Sequence, residues 1–205
     1  MRATTKPHSV DSKILNRVRR YGQGAVFVPS DFLDLGSRRA VDIVLHRLAR
    51  KGTIRRLAHG IYGYPEIHPT LGALMPSPDK VAKALSGRDL TRLQPAGAYA
   101  ANLLGMSEQV PTKLVFLTDG SSKLVHIGPM TIELRHTTPR NIAAADRLSG
   151  LLIQALRHIG KDQVTDEQIT QLRKSLPMDQ RRALIKDLNL APAWMRSILQ
   201  DVAET

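Results

Sequence analysis

One stretch constrains this chain more than any other: residues 37–64, SRRAVDIVLHRLARKGTIRRLAHGIYGY. Val41, Val44, Leu45 and Leu48 recur at three- and four-residue spacing, so a helix places them on one apolar stripe. Ser37 stands where an N-cap hydroxyl belongs, and Gly52 where a left-handed residue closes the last turn. Arg47, Arg50 and Lys51 fall in or just past the last turn, where the helix dipole favours cations. At about 100° per residue, the face opposite the stripe carries Arg39, Asp42, His46 and Arg50. Then the period changes. Residues 53–57 and 61–64 read as two short strands around Ala58-His59-Gly60, a hairpin signal. A basic helix followed at once by a basic hairpin is the core of a winged helix-turn-helix.

The charge distribution agrees with this. Of the formal net charge of +12, residues 1–64 hold thirteen Lys/Arg against four Asp/Glu, a net of +9. Residues 65–205 hold seventeen against fourteen, a net of +3. Solubility alone does not explain such clustering; a polyanion-binding N-terminal module does, most simply one for nucleic acid. Apolar residues make up 42% of the chain, enough for a core and against wholesale disorder. The absence of cysteine excludes disulfide scaffolds, thiol nucleophiles and Cys-based zinc sites. No apolar run approaches the roughly 18 residues of a membrane span, and residues 1–20 are too polar for a signal peptide. The expectation is a cytoplasmic protein with no membrane partner.

The elements around the central stretch complete the module. Residues 1–8 form a polar arm with Arg2 and Lys6. Residues 10–21 predict a helix with Ile14, Leu15 and Val18 inward and Lys13, Arg17, Arg19 and Arg20 outward. A short apolar run at residues 25–28 precedes Pro29, and Ser30 caps a short helix through Leu35. The predicted architecture is therefore α+β in two parts: residues 1–65 as a winged helix DNA-binding domain, and residues 66–205 as a helix-flanked antiparallel sheet followed by a C-terminal helical part. In the second part, the proline-rich residues 65–78 read as an ordered linker or a packed loop, and residues 79–85 and 95–104 as helices. Residues 113–118, 123–127 and 130–136 read as three strands of an antiparallel meander. Helices follow at residues 142–159, 166–176 and 178–188, with a last one after Pro192 that carries the apolar stripe Trp194, Met195, Ile198 and Leu199. Such a stripe is more often core, but on a terminal helix it could dock a partner.

Residues 45–65, LHRLARKGTIRRLAHGIYGYP, resemble the N-terminal winged helix of AbiEi-type antitoxins: a leucine-rich helix, Lys-Gly, a short basic strand, Arg-Leu, His-Gly, then Tyr and Pro. Residues 95–120, PAGAYAANLLGMSEQVPTKLVFLTDG, resemble that family's Ala/Gly-rich helix, Leu-Gly turn, proline and apolar strand. The resemblance covers most of residues 10–145 and is less diagnostic beyond. It implies the bacterial antitoxin of a type IV toxin–antitoxin (abortive phage infection) pair, with a nucleotidyltransferase-like toxin encoded beside it. It further implies autorepression, with the winged helix bound to inverted repeats in the protein's own promoter as double-stranded DNA. The alternative is a stand-alone winged-helix transcriptional regulator. The oligomeric state stays open, since two copies can meet on promoter repeats without a dimer in solution.

The candidate DNA-binding set is Ser37, Arg38, Arg39, Asp42, His46, Arg50, Arg55, Arg56 and His59. Arg39, Asp42 and His46 lie toward the helix start, the end that enters the major groove in helix-turn-helix proteins. Arg39 can bind guanine O6 and N7, and Asp42 can accept from cytosine N4. Arg38 and Arg50 are phosphate ligands on this reading, as are Lys6 and Arg20, and Arg55, Arg56 and His59 lie on the wing. Each has a plain competing role: Arg50 and Lys51 can serve only the helix dipole, Asp42 can pair with Arg38 or His46 one turn away, and Arg56 can pack its stem inward. Gly60 is a turn requirement and Tyr62 a core residue.

One constellation points toward an enzyme. Asp119, Glu133 and Arg135 resemble the metal-binding core of restriction-type nucleases, in which paired carboxylates hold Mg²⁺ for DNA cleavage. Asp119, however, precedes Gly120 at a turn, where Asp is common for local reasons, and Arg135 stands where lysine is usual. The seven histidines, His126 and His136 among them, show no metal spacing, and neither phosphate-cradling glycine pattern nor a Ser-centred elbow is present. The expectation is no catalytic residue, no metal and no cofactor.

Overall fold

The computed structural model describes residues 9–87 and 91–204; the expected polar arm with Arg2 and Lys6 lies outside the described residues. Two compact units emerge, one of Met1–Asp89 with His126–Gly128, the other of Leu90–Val125 with Pro129–Thr205. The class is α+β.

In the N-terminal unit, α1 (Val10–Tyr21) starts on Ser9, whose hydroxyl accepts from Ser12 N at 3.2 Å, and ends at Gly22. β1 (Val26–Phe27) leads into a 3-10 turn at Pro29–Phe32. A short helix over residues 30–35 was expected; the chain instead makes this single tight turn. Pro29 has no amide to satisfy there, and the Asp31 carboxylate accepts from Val28 N at 2.8 Å. Then come α2 (Arg38–Arg50), β2 (Arg55–Ala58) and β3 (Ile61–Gly63). The three strands form an antiparallel sheet in the order β1-β3-β2, with Arg56 opposite Tyr62 and a bulge between Arg56 and Ala58. This is a winged helix-turn-helix whose middle helix is reduced to a 3-10 turn.

Its core is made by the residues that the periodicity marks. Ile14 and Val18 of α1, Val41, Val44, Leu45 and Leu48 of α2, and Phe27, Phe32, Ile54 and Tyr62 form one buried cluster. Phe27 and Phe32 meet edge to face at 5.4 Å, and Tyr21 lies within 6.3 Å of both. Each fully buried side chain of this size contributes about 1.5–3 kcal/mol. Two ion pairs then fix α1: Arg17 binds both oxygens of Asp34 at 2.7 Å and donates to the Asp31 carbonyl at 3.0 Å, and Asp11 pairs with Arg47 of α2. Arg17, expected among the outward cations, is thus held inside the unit. The Asp34 carboxylate raises its pKa further still.

The proline-rich segment expected as an ordered linker or packed loop contains a two-stranded ribbon, β4 (Ile67–His68) and β5 (Gly72–Ala73). His68 Nδ1 closes its turn by accepting from Thr70 N at 3.3 Å and Leu71 N at 3.4 Å. α3 (Pro78–Ser86), the helix expected over residues 79–85, follows and is capped by Ser77. The compact unit therefore runs past residue 65, the boundary predicted for the winged helix.

From residue 91 onward the chain forms β6 (Leu93–Ala96), α4 (Gly97–Leu103), β7 (Lys113–Thr118), β8 (Lys123–Ile127, whose last two residues are counted with the N-terminal unit), β9 (Met130–His136), α5 (Leu148–Ile159), α6 (Asp166–Ser175), α7 (Met178–Ala183) and α8 (Ala193–Ala203). The three predicted strands stand at their predicted bounds, but not as an antiparallel meander. The sheet order is β6-β7-β9-β8, with β7 antiparallel to β6 and parallel to β9, Val115 beside Glu133. The helix expected over residues 95–104 is preceded by β6, because Gly97 turns the chain at φ +62°. The helix expected from residue 142 begins only at Leu148. Residues 139–142 form a 3-10 turn, and Asp146 at φ +63° breaks the path between.

α4, α5, α6 and α8 enclose the second core, in which Leu152, Leu156, Met195, Leu199 and Val202 are fully buried. Trp194 and Ile198 pack against it. The stripe of the last helix thus covers the core of its own unit. α6 starts on a reciprocal capping box between Thr165 and Gln168.

Candidate nucleic-acid interface

The position of α2 follows from its ends. Ser37 Oγ accepts from Ala40 N at 3.4 Å, which sets the first turn. At the other end Gly52 adopts φ +71°, and its amide reaches the Ala49 carbonyl at 3.0 Å. Thr53 N reaches the Leu48 carbonyl, also at 3.0 Å, which completes a Schellman closure. That closure reverses the chain within three residues and delivers it to the wing. The buried stripe fixes the rotation of α2, so its opposite face has to be solvent-exposed.

That outer face carries Arg39, His46 and Arg50, all exposed. Among the described residues none of these three side chains makes a hydrogen bond or ion pair. Asp42 lies beside them, but Arg38 Nε binds its carboxylate at 3.2 and 3.0 Å. Both members are largely in water, with 62% and 47% of the side-chain surface exposed. Such a pair is worth under about 1 kcal/mol, so either member can be drawn to a base or phosphate at little cost. Ile43, 55% exposed, sits in the same patch. Periodicity passed over it. The signal was an apolar residue off the apolar stripe, and its chemistry suits contact with a thymine methyl group. Asp42, Ile43, His46, Arg47, Arg50 and Lys51 line a shallow depression along this face.

On the wing, Arg55, Arg56 and His59 are exposed. Arg56 and His59 have no hydrogen-bonding or ionic partner among the described residues. Arg55 makes one long bond, to the Ala73 carbonyl at 3.5 Å. Gly60, at φ +71°, closes the hairpin as its turn role requires, and Tyr62 is buried as expected. The structure thus brings the α2 residues onto one face, places the wing residues on the following hairpin, and leaves their charge unneutralised apart from Arg38 and Asp42.

The nuclease-like carboxylates do not meet. Glu133 lies beside Val115, and Asp119 is four residues further along, which at strand spacing is about 13 Å away. Each is also neutralised separately. Arg92 binds Asp119 through its backbone N and Nε, both at 2.9 Å, and this holds the carboxyl below its usual range. Arg135 and Lys113 hold Glu133, at 2.9 and 2.8 Å, and push its pKa down to about 2. Among the described residues no group of three or more His, Asp or Glu is placed to hold a metal ion. His136 instead contacts the Gly120 carbonyl at 3.0 Å.

A family pattern matches residues 13–184, which includes the whole winged helix core. The chain belongs to that family. It is DUF6088, described as a family of unknown function. No curated protein matches this DUF6088 chain. Among solved structures, it is similar to the RV2827C protein from Mycobacterium tuberculosis, at 15% identity and a TM-score of 0.45. That match covers 94% of this chain and 81% of the other. No helix among the described residues is long and apolar enough to cross a membrane.

Proposed function

We propose that this DUF6088 chain is a sequence-specific DNA-binding transcriptional autorepressor and the antitoxin of a type IV toxin–antitoxin pair. The observation that carries the DNA-binding part is the outer face of α2: Arg39, His46 and Arg50 exposed and unpaired around Ile43, on a helix whose rotation is fixed by a buried stripe. Arg39 and His46 read base edges, Ile43 meets a thymine methyl group, and Arg50 with the wing residues Arg56 and His59 holds phosphates. The exposed pair of Arg38 and Asp42 opens on binding, Arg38 going to a phosphate and Asp42 to a cytosine amine.

The antitoxin part rests on the sequence resemblance of residues 45–65 and 95–120 to AbiEi-type antitoxins. Its partner is a nucleotidyltransferase-like toxin encoded beside it, and the C-terminal unit carries the antitoxicity.

Two experiments test the two parts separately. A mobility shift with the protein's own upstream DNA, competed by unrelated duplex at physiological salt, is expected to retain the shifted band. A band removed by competitor would sink the autorepressor reading. Co-expression with the neighbouring nucleotidyltransferase-like product is expected to relieve growth arrest, and unrelieved arrest would refute the antitoxin role.

A further inference from the structure

A second concavity opens in the N-terminal unit, behind the wing rather than on the outer face of α2. It measures about 240 Å³ and lies between the β2–β3 hairpin, the chain before β1, and the segment that carries the ribbon into α3. Its wall is apolar, with Leu57, Tyr64, Leu74 and Met75. Its rim is charged, with Arg55, Glu66 and Lys80.

The floor is Gly24. A Cβ added there would fall 2.6 Å from Glu66 Oε2 and 3.0 Å from Lys80 Nζ. A carboxylate and an ammonium therefore lean over the same point. Gly24 also adopts φ +75°, and its amide donates to the Tyr64 carbonyl at 2.8 Å, so the floor is held in place by the backbone. Yet Glu66 and Lys80 do not form an ion pair, and among the described residues neither side-chain charge has another partner. Two opposite charges that converge on one point without satisfying each other complement a molecule that bears both charges close together.

We propose that this concavity binds a small zwitterion with an apolar side chain, of the chemical class of the aliphatic α-amino acids. The ligand's ammonium meets Glu66, its carboxylate meets Lys80 with Arg55 nearby, and its hydrocarbon lies on Leu57, Tyr64 and Leu74. The bound molecule bridges β2, the turn before β1 and the start of α3. It is a site for a small effector on the wing's inner side.

The test uses the full chain without DNA, so it is independent of the DNA-binding reading. L-leucine, L-leucinamide and N-acetyl-L-leucine are titrated by calorimetry, with thermal unfolding followed in parallel. Leucine is expected to bind and to raise the unfolding temperature, whereas leucinamide and N-acetyl-leucine, each short of one charge, bind at least about tenfold more weakly. Glu66→Gln and Lys80→Met should each weaken leucine by about tenfold while the ligand-free unfolding temperature stays that of the wild type, since both side chains are exposed and unpaired. Equal binding of all three compounds, leucine affinity untouched in both variants, or no heat with leucine at millimolar concentration would overturn the proposal.

Discussion

The two units of this protein differ in where they leave arginines without a partner. In the C-terminal unit many of the arginines are tied to their own chain. Arg92 holds Asp119, Arg135 and Lys113 hold Glu133, and Arg147 holds Asp187 at 2.5 Å. Arg173 and Arg181 donate to the Asp201 and Glu204 carbonyls at the end of α8, both at hydrogen-bond distance. In the N-terminal unit Arg17, Arg38 and Arg47 also bind carboxylates of their own chain and Arg55 makes one long bond to a carbonyl, whereas Arg39, Arg50 and Arg56 on the exposed face are left to solvent. An arginine's role is thus set by whether an acceptor of its own chain lies within reach. The net charge of a segment reports the surplus but not which residues make it up.

The sharpest way to break this contrast is at Asp187. It is buried at 6% exposure and accepts from Arg147 and from the buried Ser149 hydroxyl. Asp187→Ala strands the buried Ser149 hydroxyl, breaks the pair with Arg147 and should cost about 2–4 kcal/mol in urea unfolding. DNA affinity of the folded fraction should not change, and a matching loss of affinity would show that the two units do not divide the work in this way. Next in size is the double substitution Arg39→Ala with His46→Ala, on the proposed base-reading face. It should cost about 2–3 kcal/mol of operator affinity and flatten sequence preference, with unfolding within about 0.5 kcal/mol of wild type. Unchanged operator binding would move the recognition surface elsewhere.

Smaller effects sharpen the picture. Glu133 titrates at about 2 in the folded chain and near the ordinary carboxylate value when unfolded. Its stabilisation is therefore complete above about pH 4.5 and is lost as pH falls toward 2. Because Arg135 and Lys113 are 54% and 58% exposed, solvent screening leaves about 1 kcal/mol at pH 7. Glu133→Gln should lose that amount at pH 7 and nothing below pH 2, measured as paired urea curves. Smallest of all is Arg56→Ala on the wing, expected to weaken specific and nonspecific DNA alike by about 0.5–1 kcal/mol and to lower the salt slope by about one. Loss confined to one sequence would instead make Arg56 a base reader.

What could be read ahead of the structure was mostly local. Ser37, Gly52 and the four-residue stripe placed α2 because a cap, a left-handed closure and a period all act within a few residues. The bounds of β7, β8 and β9 were legible for the same reason. Their pairing was not: strand composition does not encode which neighbour a strand takes, and β6 was hidden inside an alanine-rich run that only the left-handed Gly97 divides. The β4–β5 ribbon was concealed by Pro65, Pro69 and Pro76, which signal loops, although His68 closes a turn between them. On the candidate interface, the unpaired state of Arg39, His46 and Arg50 agrees with the helical wheel. The engagement of Asp42 by Arg38 was one of the alternatives the spacing allowed, and only coordinates decide it.

The parallel pairing of β7 with β9 has a consequence for the order of assembly. In the C-terminal unit β6 must find β7, β7 must skip β8 to reach β9, and α5 must return onto β6, so the sheet depends on segments far apart in the chain. The winged helix draws almost wholly on residues before position 90 and closes through near neighbours such as α1 with α2 and β2 with β3. Loop-closure entropy makes the first kind of contact slow to form and the second fast. During synthesis the N-terminal unit is therefore able to take its fold while the later strands are still leaving the ribosome.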